Sequence, residues 1–167
     1  RLLTETGRKQ NVTTISLSSS PATEISADAI IIGVTKGTDG PQLAAGASAV
    51  DTAQGGTLVT TLAALGATGK AGEVTKLASS DAVAAPIIVA VGLGKPDEDG
   101  VIDTEQLRRA AGVGARALAG SSHAVLALST TTVDELSAVA EGGLLGSYAY
   151  LRYRTQENDA KQPVHDL

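Results

Sequence analysis

The chain has 167 residues, with no Cys, Met, Phe or Trp and three Tyr as its only aromatics. Absent Cys excludes disulfides, thiolate metal sites and a cysteine nucleophile, and the net charge of -5, from 13 Lys and Arg against 18 Asp and Glu, sets the surface against nucleic acid and acidic membranes. Leu, Ile and Val number 40, above the ~20% of a chain below which disorder is the default, so one soluble domain is expected, its core built from aliphatic side chains and close backbone approaches.

In chain order, the first ten residues, RLLTETGRKQ, are polar and lack the apolar stretch of a secretory signal. The missing initiator Met reads either as processing or as a piece of a longer polypeptide. The longest apolar runs, about Ala27 to Val34 and Ala84 to Leu93, fall far short of the ~20 residues of a membrane span. Val12 to Leu17 is β-branched and reads as a strand. Asp28 to Val34 is a continuous apolar run, the mark of a strand covered on both faces. Leu43 to Val50 reads as a short Ala-rich helix. Leu58, Leu62 and Leu65 recur at helical spacing and stop at Gly66.

Ala84 to Val91 is the clearest buried strand, with Pro86 near its start, where a missing N–H is tolerable; it leads into a Gly92 to Lys95 turn. Asp103 and Gln106 stand at capping-box spacing before a helix whose apolar face is Leu107, Ala110, Ala111, Gly114, Ala117 and Leu118. Gly112 and Gly114 inside it point to close packing. His123 to Leu128 is the next strand. Thr132 and Glu135 then open a second capped helix with the face Leu136, Val139, Ala140, Gly143, Leu144 and Ser147, reaching as far as Leu151. Thr155 to Leu167 is polar, contains Pro163 and has no apolar period, so it reads as a linker. Alternating strands and helices imply an α/β fold of three layers, a mixed sheet flanked by helices, with residues 1–154 as the single domain and 155–167 as the linker.

No catalytic constellation is visible. The glycines after the buried strand invite an anion reading, yet neither Gly69-Lys70 nor Gly94-Lys95 has P-loop spacing, and Gly92-x-Gly94 runs to Asp97 where a dinucleotide fingerprint has Gly or Ala. Five acids between Asp97 and Glu105 would oppose a phosphate there. His123 and His165, the only imidazoles, have no metal-site spacing and read as a strand-end and a solvent-facing side chain. The one concentration is Tyr148, Tyr150, Arg152, Tyr153 and Arg154, since Tyr with Arg favours interface hot spots and also stacks on single-stranded bases. Either these residues form a domain or subunit contact, or Tyr148 and Leu151 anchor the helix end on the sheet while the arginines are solvated.

Taken in order, VAVGLGKP (Val89 to Pro96), LRRAAGVGARAL (Leu107 to Leu118) and AEGGLLGSYAYLRYR (Ala140 to Arg154) resemble the N-terminal domain of the leucyl aminopeptidase, or cytosol aminopeptidase, family. The likeness runs from about Val12 to Arg154, and the Ala and Gly richness resembles an actinobacterial member. The resemblance implies a macro-domain-like α/β/α fold joined to a C-terminal catalytic domain that holds two divalent metals, zinc or manganese. It implies a cytoplasmic hexamer in which this domain helps assembly and shapes access to the active sites. The family's catalytic signature N-T-D-A-E-G-R-L is absent from the chain, so no catalytic, cofactor or metal residue carries over and the chain is expected to be inactive by itself. Some bacterial members bind DNA, which the -5 charge disfavours. The alternative is a macro-like module that holds ADP-ribose or a related nucleotide, with donors around Asp28 to Gly33 and the Gly92 turn.

Overall fold

A computed structural model describes residues 13–148 and 164–167. Its centre is β1 (Ala29–Lys36), in which Ala29 to Val34 are buried. One side of β1 pairs parallel with β4 (Ile87–Gly94), and β4 carries the antiparallel edge strand β3 (Val74–Ala78). The other side of β1 is shared along its length. Ala29 to Ile32 pair parallel with β5 (Ala124–Ala127), and Val34 to Lys36 pair antiparallel with β2 (Pro41–Leu43).

Helices cover both faces. Because side chains alternate along a strand, Ile31 faces one cluster with Val89, Val91, Leu107 and Ala111, under α3 (Thr104–Ala117) and α4 (Val133–Ser147). Ile30 and Ile32 face a second cluster with Val50, Leu58, Leu62 and Ile88, under α1 (Ser48–Ala53) and α2 (Leu58–Ala64). This is the expected α/β/α layering with a mixed sheet. The chain crosses over from β1 on the α1/α2 face and from β4 on the α3/α4 face.

Helix ends follow the sequence closely. Asp103 and Gln106 form a capping box on α3, and Thr132 and Glu135 form one on α4, each satisfying orphan N–H groups at the first turn. Gly66, at φ +83°, ends α2: its N–H donates to Ala63 and that of Ala67 donates to Leu62, the two bonds of a Schellman motif.

Several expectations change. Val12 to Leu17 forms no regular strand: Thr14 makes one bridge to Asp166, Leu17 is exposed, and Val12 lies outside the described residues. The Leu43 to Val50 helix is displaced, since Leu43 closes β2 and a 3-10 turn at Ala45–Ala47 precedes α1. The edge strand β3 is additional to the expected elements: its alternating Val, Thr, Lys and Leu give no apolar run at a half-buried edge. Gly92 is not in a turn, because β4 continues through Gly94. The buried face of α4 is Ala138, Val139, Gly142, Gly143, Gly146 and Ser147, so Leu144 lies at the solvent side.

The last four residues depart most from a solvated linker. Val164 is fully buried and Leu167 nearly so, both in the α3/α4 cluster. The N–H groups of His165 and Asp166 donate to the Ser122 carbonyl, and Ala124 N–H donates to the Asp166 carbonyl. Thr14 N–H donates to His165, and Leu167 exchanges bonds with Thr14 and Ser16. Two short extended segments from opposite ends of the chain thus add to the β5 edge. Isolated apolar residues in a polar stretch have no period, which is why the sequence hid them.

Candidate functional site

In an open α/β sheet the natural ligand crevice lies beyond the carboxyl ends of parallel strands whose connections leave on opposite faces. Here that place is between β1 and β4. It is filled by the chain's own loop from Thr68 to Glu73. A Cβ on Gly69 would lie 2.2 Å from the Thr35 carbonyl oxygen, and one on Gly92 would lie 1.9 Å from that of Lys70. Both glycines are required by backbone lying directly on backbone. Gly69, at φ +77°, also has a conformation that disfavours a side chain.

The loop is bonded as tightly as it is packed. Gly94 N–H donates to the Gly69 carbonyl, Gly92 N–H to Glu73 and Gly72 N–H to Gly92. The N–H groups of Thr68 and Gly69 donate to Glu73 Oε2 at 2.7 and 2.8 Å. Desolvation pushes the Glu73 carboxyl up, but these amides and the Thr68 hydroxyl outweigh it and hold the group below the usual range. An internal carboxylate therefore takes the amides that a phosphate would use, and the Gly92 and Gly94 donors point into protein. The α3 N-terminus is likewise capped by Asp103.

The surface beyond is acidic. A cleft of about 470 Å³ is lined by Lys95, Pro96, Asp97, Glu98, Val101, Asp103 and Gln106. The Asp97 carboxylate accepts from the N–H groups of Asp99 and Val101, which makes it part of the loop's own turn. The strand expected to offer nucleotide donors is sealed, since Ile30, Ile31 and Ile32 have no exposed surface. Asp28 accepts from the N–H groups of Ser122 and His123 at 2.6 and 3.0 Å. Those two bonds, His123 first, hold its pKa below the ordinary value.

The two histidines are exposed, and they share one acid, a convergence that their 42-residue separation conceals. His123 Nε2 and His165 Nδ1 each lie 3.1 Å from Asp166 Oδ2. Asp166 is held low, first by the Thr14 hydroxyl and then by His165. Among the described residues no group of His, Asp and Glu has the arrangement that holds a metal ion.

Of the candidate interface residues, Tyr148 is described; Tyr150, Arg152, Tyr153 and Arg154 lie outside the described residues, as does Leu151. Tyr148 caps the carboxyl end of α4 in extended conformation and is 73% exposed. It is therefore not an anchor on the sheet. Leu145, 67% exposed, and Leu144 precede it, giving an apolar strip at the helix end. No described helix is long and apolar enough to cross a membrane.

Comparison with known proteins follows the same direction. The model of the cytosol aminopeptidase family's N-terminal domain matches residues 31–157. A probable cytosol aminopeptidase of Streptomyces griseus is 51% identical over 148 residues, and one of Streptomyces coelicolor is 48% identical over 152. These matches cover 88% and 90% of this chain but 29% of each relative, so the chain spans less than a third of their length. Among solved structures, a tomato leucine aminopeptidase mutant superposes with a TM-score of 0.66 at 20% identity, covering 92% of this chain and 32% of that one. The bottromycin maturation enzyme BotP in complex with Mn superposes at 0.57 with 22% identity, covering 84% and 26%. These likenesses concern the fold. A family match over three quarters of the chain, with actinobacterial relatives near half identical, shows that the chain belongs to the cytosol aminopeptidase family, as its N-terminal domain.

Proposed function

We propose that this domain is a non-catalytic assembly module of a leucyl aminopeptidase. It supports a cytoplasmic hexamer and shapes access to the active sites of a catalytic portion that removes N-terminal amino acids from peptides with two divalent metals, zinc or manganese. The chemistry belongs to that portion; the residues described here supply shape and contacts. The observation that carries this reading is the pairing of a closed crevice with an open apolar strip. The Thr68 to Glu73 loop lies directly on the backbone of β1 and β4 and takes its own amides, while Leu144, Leu145 and Tyr148 face solvent at the end of α4. Exposed Leu and Tyr together are the composition of a contact core.

The test uses the full-length protein. Leu145→Asp combined with Tyr148→Ala should shift the assembly from hexamer to smaller species in light scattering after size exclusion, and should change the hydrolysis of long peptides more than that of leucine p-nitroanilide. A hexamer of unchanged stability would reject the assembly role. The 167-residue chain with added Mn or Zn should release no leucine at enzyme-like rates. ADP-ribose should give no calorimetric signal at micromolar concentration, because the loop closes the nucleotide crevice; saturable binding there would favour the nucleotide module instead.

A further inference from the structure

The turn between β1 and β2 carries a reactive pair of residues. Asp is followed by Gly twice in the chain, at Asp39-Gly40 and at Asp99-Gly100. A glycine has no side chain to screen its backbone nitrogen, so that nitrogen can reach the side-chain carboxyl of the residue before it. Both aspartates are exposed, which leaves the glycine amides to decide between them. Gly100 is held by its amide. Its N–H donates to the Asp97 carbonyl at 3.1 Å, and the N–H groups of Asp99 and Val101 donate to Asp97 Oδ1 at 3.0 and 2.7 Å. Asp97 N–H donates to the Val101 carbonyl and closes that loop on itself. The loop must open before the Gly100 nitrogen can react. Gly40 is held by its other end: its carbonyl accepts from Gly37 N–H at 3.0 Å, while among the described residues no hydrogen bond meets its own N–H. Its φ of +142° is one that a side chain disfavours, and a Cβ there would meet nothing within 4 Å. The nitrogen that could attack is therefore unbonded and stands in open space.

We propose that Asp39-Gly40 is a site of spontaneous isoaspartate formation, a covalent ageing site at the tip of the β1–β2 hairpin. The Gly40 nitrogen forms a bond to Asp39 Cγ. The Cγ–OH bond of the protonated carboxyl breaks, and the hydroxyl leaves as water with the proton from nitrogen. Water then opens the resulting five-membered succinimide in one of two ways. Addition at Cγ restores aspartate. Addition at the Asp39 main-chain carbonyl carbon breaks that carbon's bond to nitrogen, frees a carboxylate there and leaves the chain running through Cβ and Cγ. The water lost in the first step is regained in the second, so the composition is unchanged and no oxidant is needed. The product places one more carbon in the backbone of a turn whose four residues, 37–40, are matched to the pairing of Lys36 with Pro41. The Gly37 to Gly40 bond that closes the turn is the first to feel it, and β2, with three residues, has little pairing to resist the change.

The test incubates the 167-residue chain at neutral pH, folded and in urea, until the urea sample shows isoaspartate at both sites by peptide mapping with electron-transfer fragmentation. In the folded chain Asp39 should convert about fivefold or more faster than Asp99, because only the second must wait for its loop to open. In urea, where both amides are released, the two rates should converge. Asp39→Asn closes the same ring with loss of ammonia in place of water, so it should speed isoaspartate formation at position 39 severalfold and leave Asp99 as it was. In the separated isoaspartyl species the Gly37 amide should exchange with solvent faster than in the parent by NMR. Equal rates at the two sites in the folded chain would overturn the proposal, as would a folded Asp39 that stays unconverted while the urea sample reacts. An Asp39→Asn chain no faster than the parent would rule out the succinimide route, and an unchanged Gly37 amide would refute the loosening of the turn.

Discussion

The two faces of the sheet solve one problem by opposite means. On the α1/α2 face the helices are short and hold themselves to the sheet with large side chains, Val50, Leu58 and Leu62, all essentially without exposed surface. On the α3/α4 face the helices are twice as long and their mutual contact is made by glycine. A Cβ on Gly142 would lie 2.0 Å from the Arg108 carbonyl oxygen, and one on Gly146 would lie 2.2 Å from that of Gly112. A chain without Phe, Trp or Met has few means of filling wide gaps, so it narrows them instead. One face therefore depends on side-chain volume, and the other on its absence.

The contrast makes opposite substitutions harmful on opposite faces. Leu62→Ala should cost about 2–5 kcal/mol, the range for a buried leucine removed from a core. Gly142→Ala, which adds a single carbon, should cost about 1–3 kcal/mol through overpacking against the α3 backbone. Thermal melts followed by circular dichroism read both, at roughly 2–4 °C per kcal/mol for a domain of this size. If Gly142→Ala left the melting temperature unchanged, close backbone approach would not be what holds α3 to α4. Thr132→Ala removes a cap rather than a contact and should cost about 1 kcal/mol. A loss as large as that of Leu62→Ala would mean that α4 depends on its end more than on its packed face.

Acid offers a smaller probe. Asp28 is held low by the N–H groups of His123 and Ser122, so its ionised form is favoured by the fold. Its contribution is present above the unfolded aspartate pKa, about 4, and is lost as pH falls through the lower folded value. Asp28→Asn should therefore melt below the parent at pH 7 and approach it as pH falls from 5 to 3. A constant gap across that range would remove Asp28 from the acid response.

What could be read from sequence was local. The two capping boxes sit three residues apart in each case, and β1 and β4 are continuous apolar runs, so helix starts and central strands were legible. What escaped depends on distant partners. Nothing around Gly142 names Arg108 as its neighbour, and nothing around Gly92 says that Lys70 will lie across it. The edge strand β3 carries Lys76, whose ammonium reaches the Ala117 carbonyl at the end of α3, so its polar residues looked like loop. At the candidate site the sequence carries no phosphate motif, and the internal carboxylate in the amide cradle is visible only in the fold. The apolar strip was partly legible through Tyr148, whereas Leu144 was assigned to the wrong side because α4 turns its glycines inward.

The meeting of Thr14 with His165 and Asp166 joins positions about 150 residues apart. Ribosomes deliver those positions in order, at roughly 5–20 residues per second. Ile15, which packs on the α3/α4 cluster, must therefore wait many seconds after emergence for the segment that will lie beside it. Its partners in α4 and at Val164 to Leu167 are the last of the described residues to appear. The outer edge of the sheet is in this sense a record of synthesis: the first described residues find their place only when the last ones arrive, and the domain cannot close on itself before then.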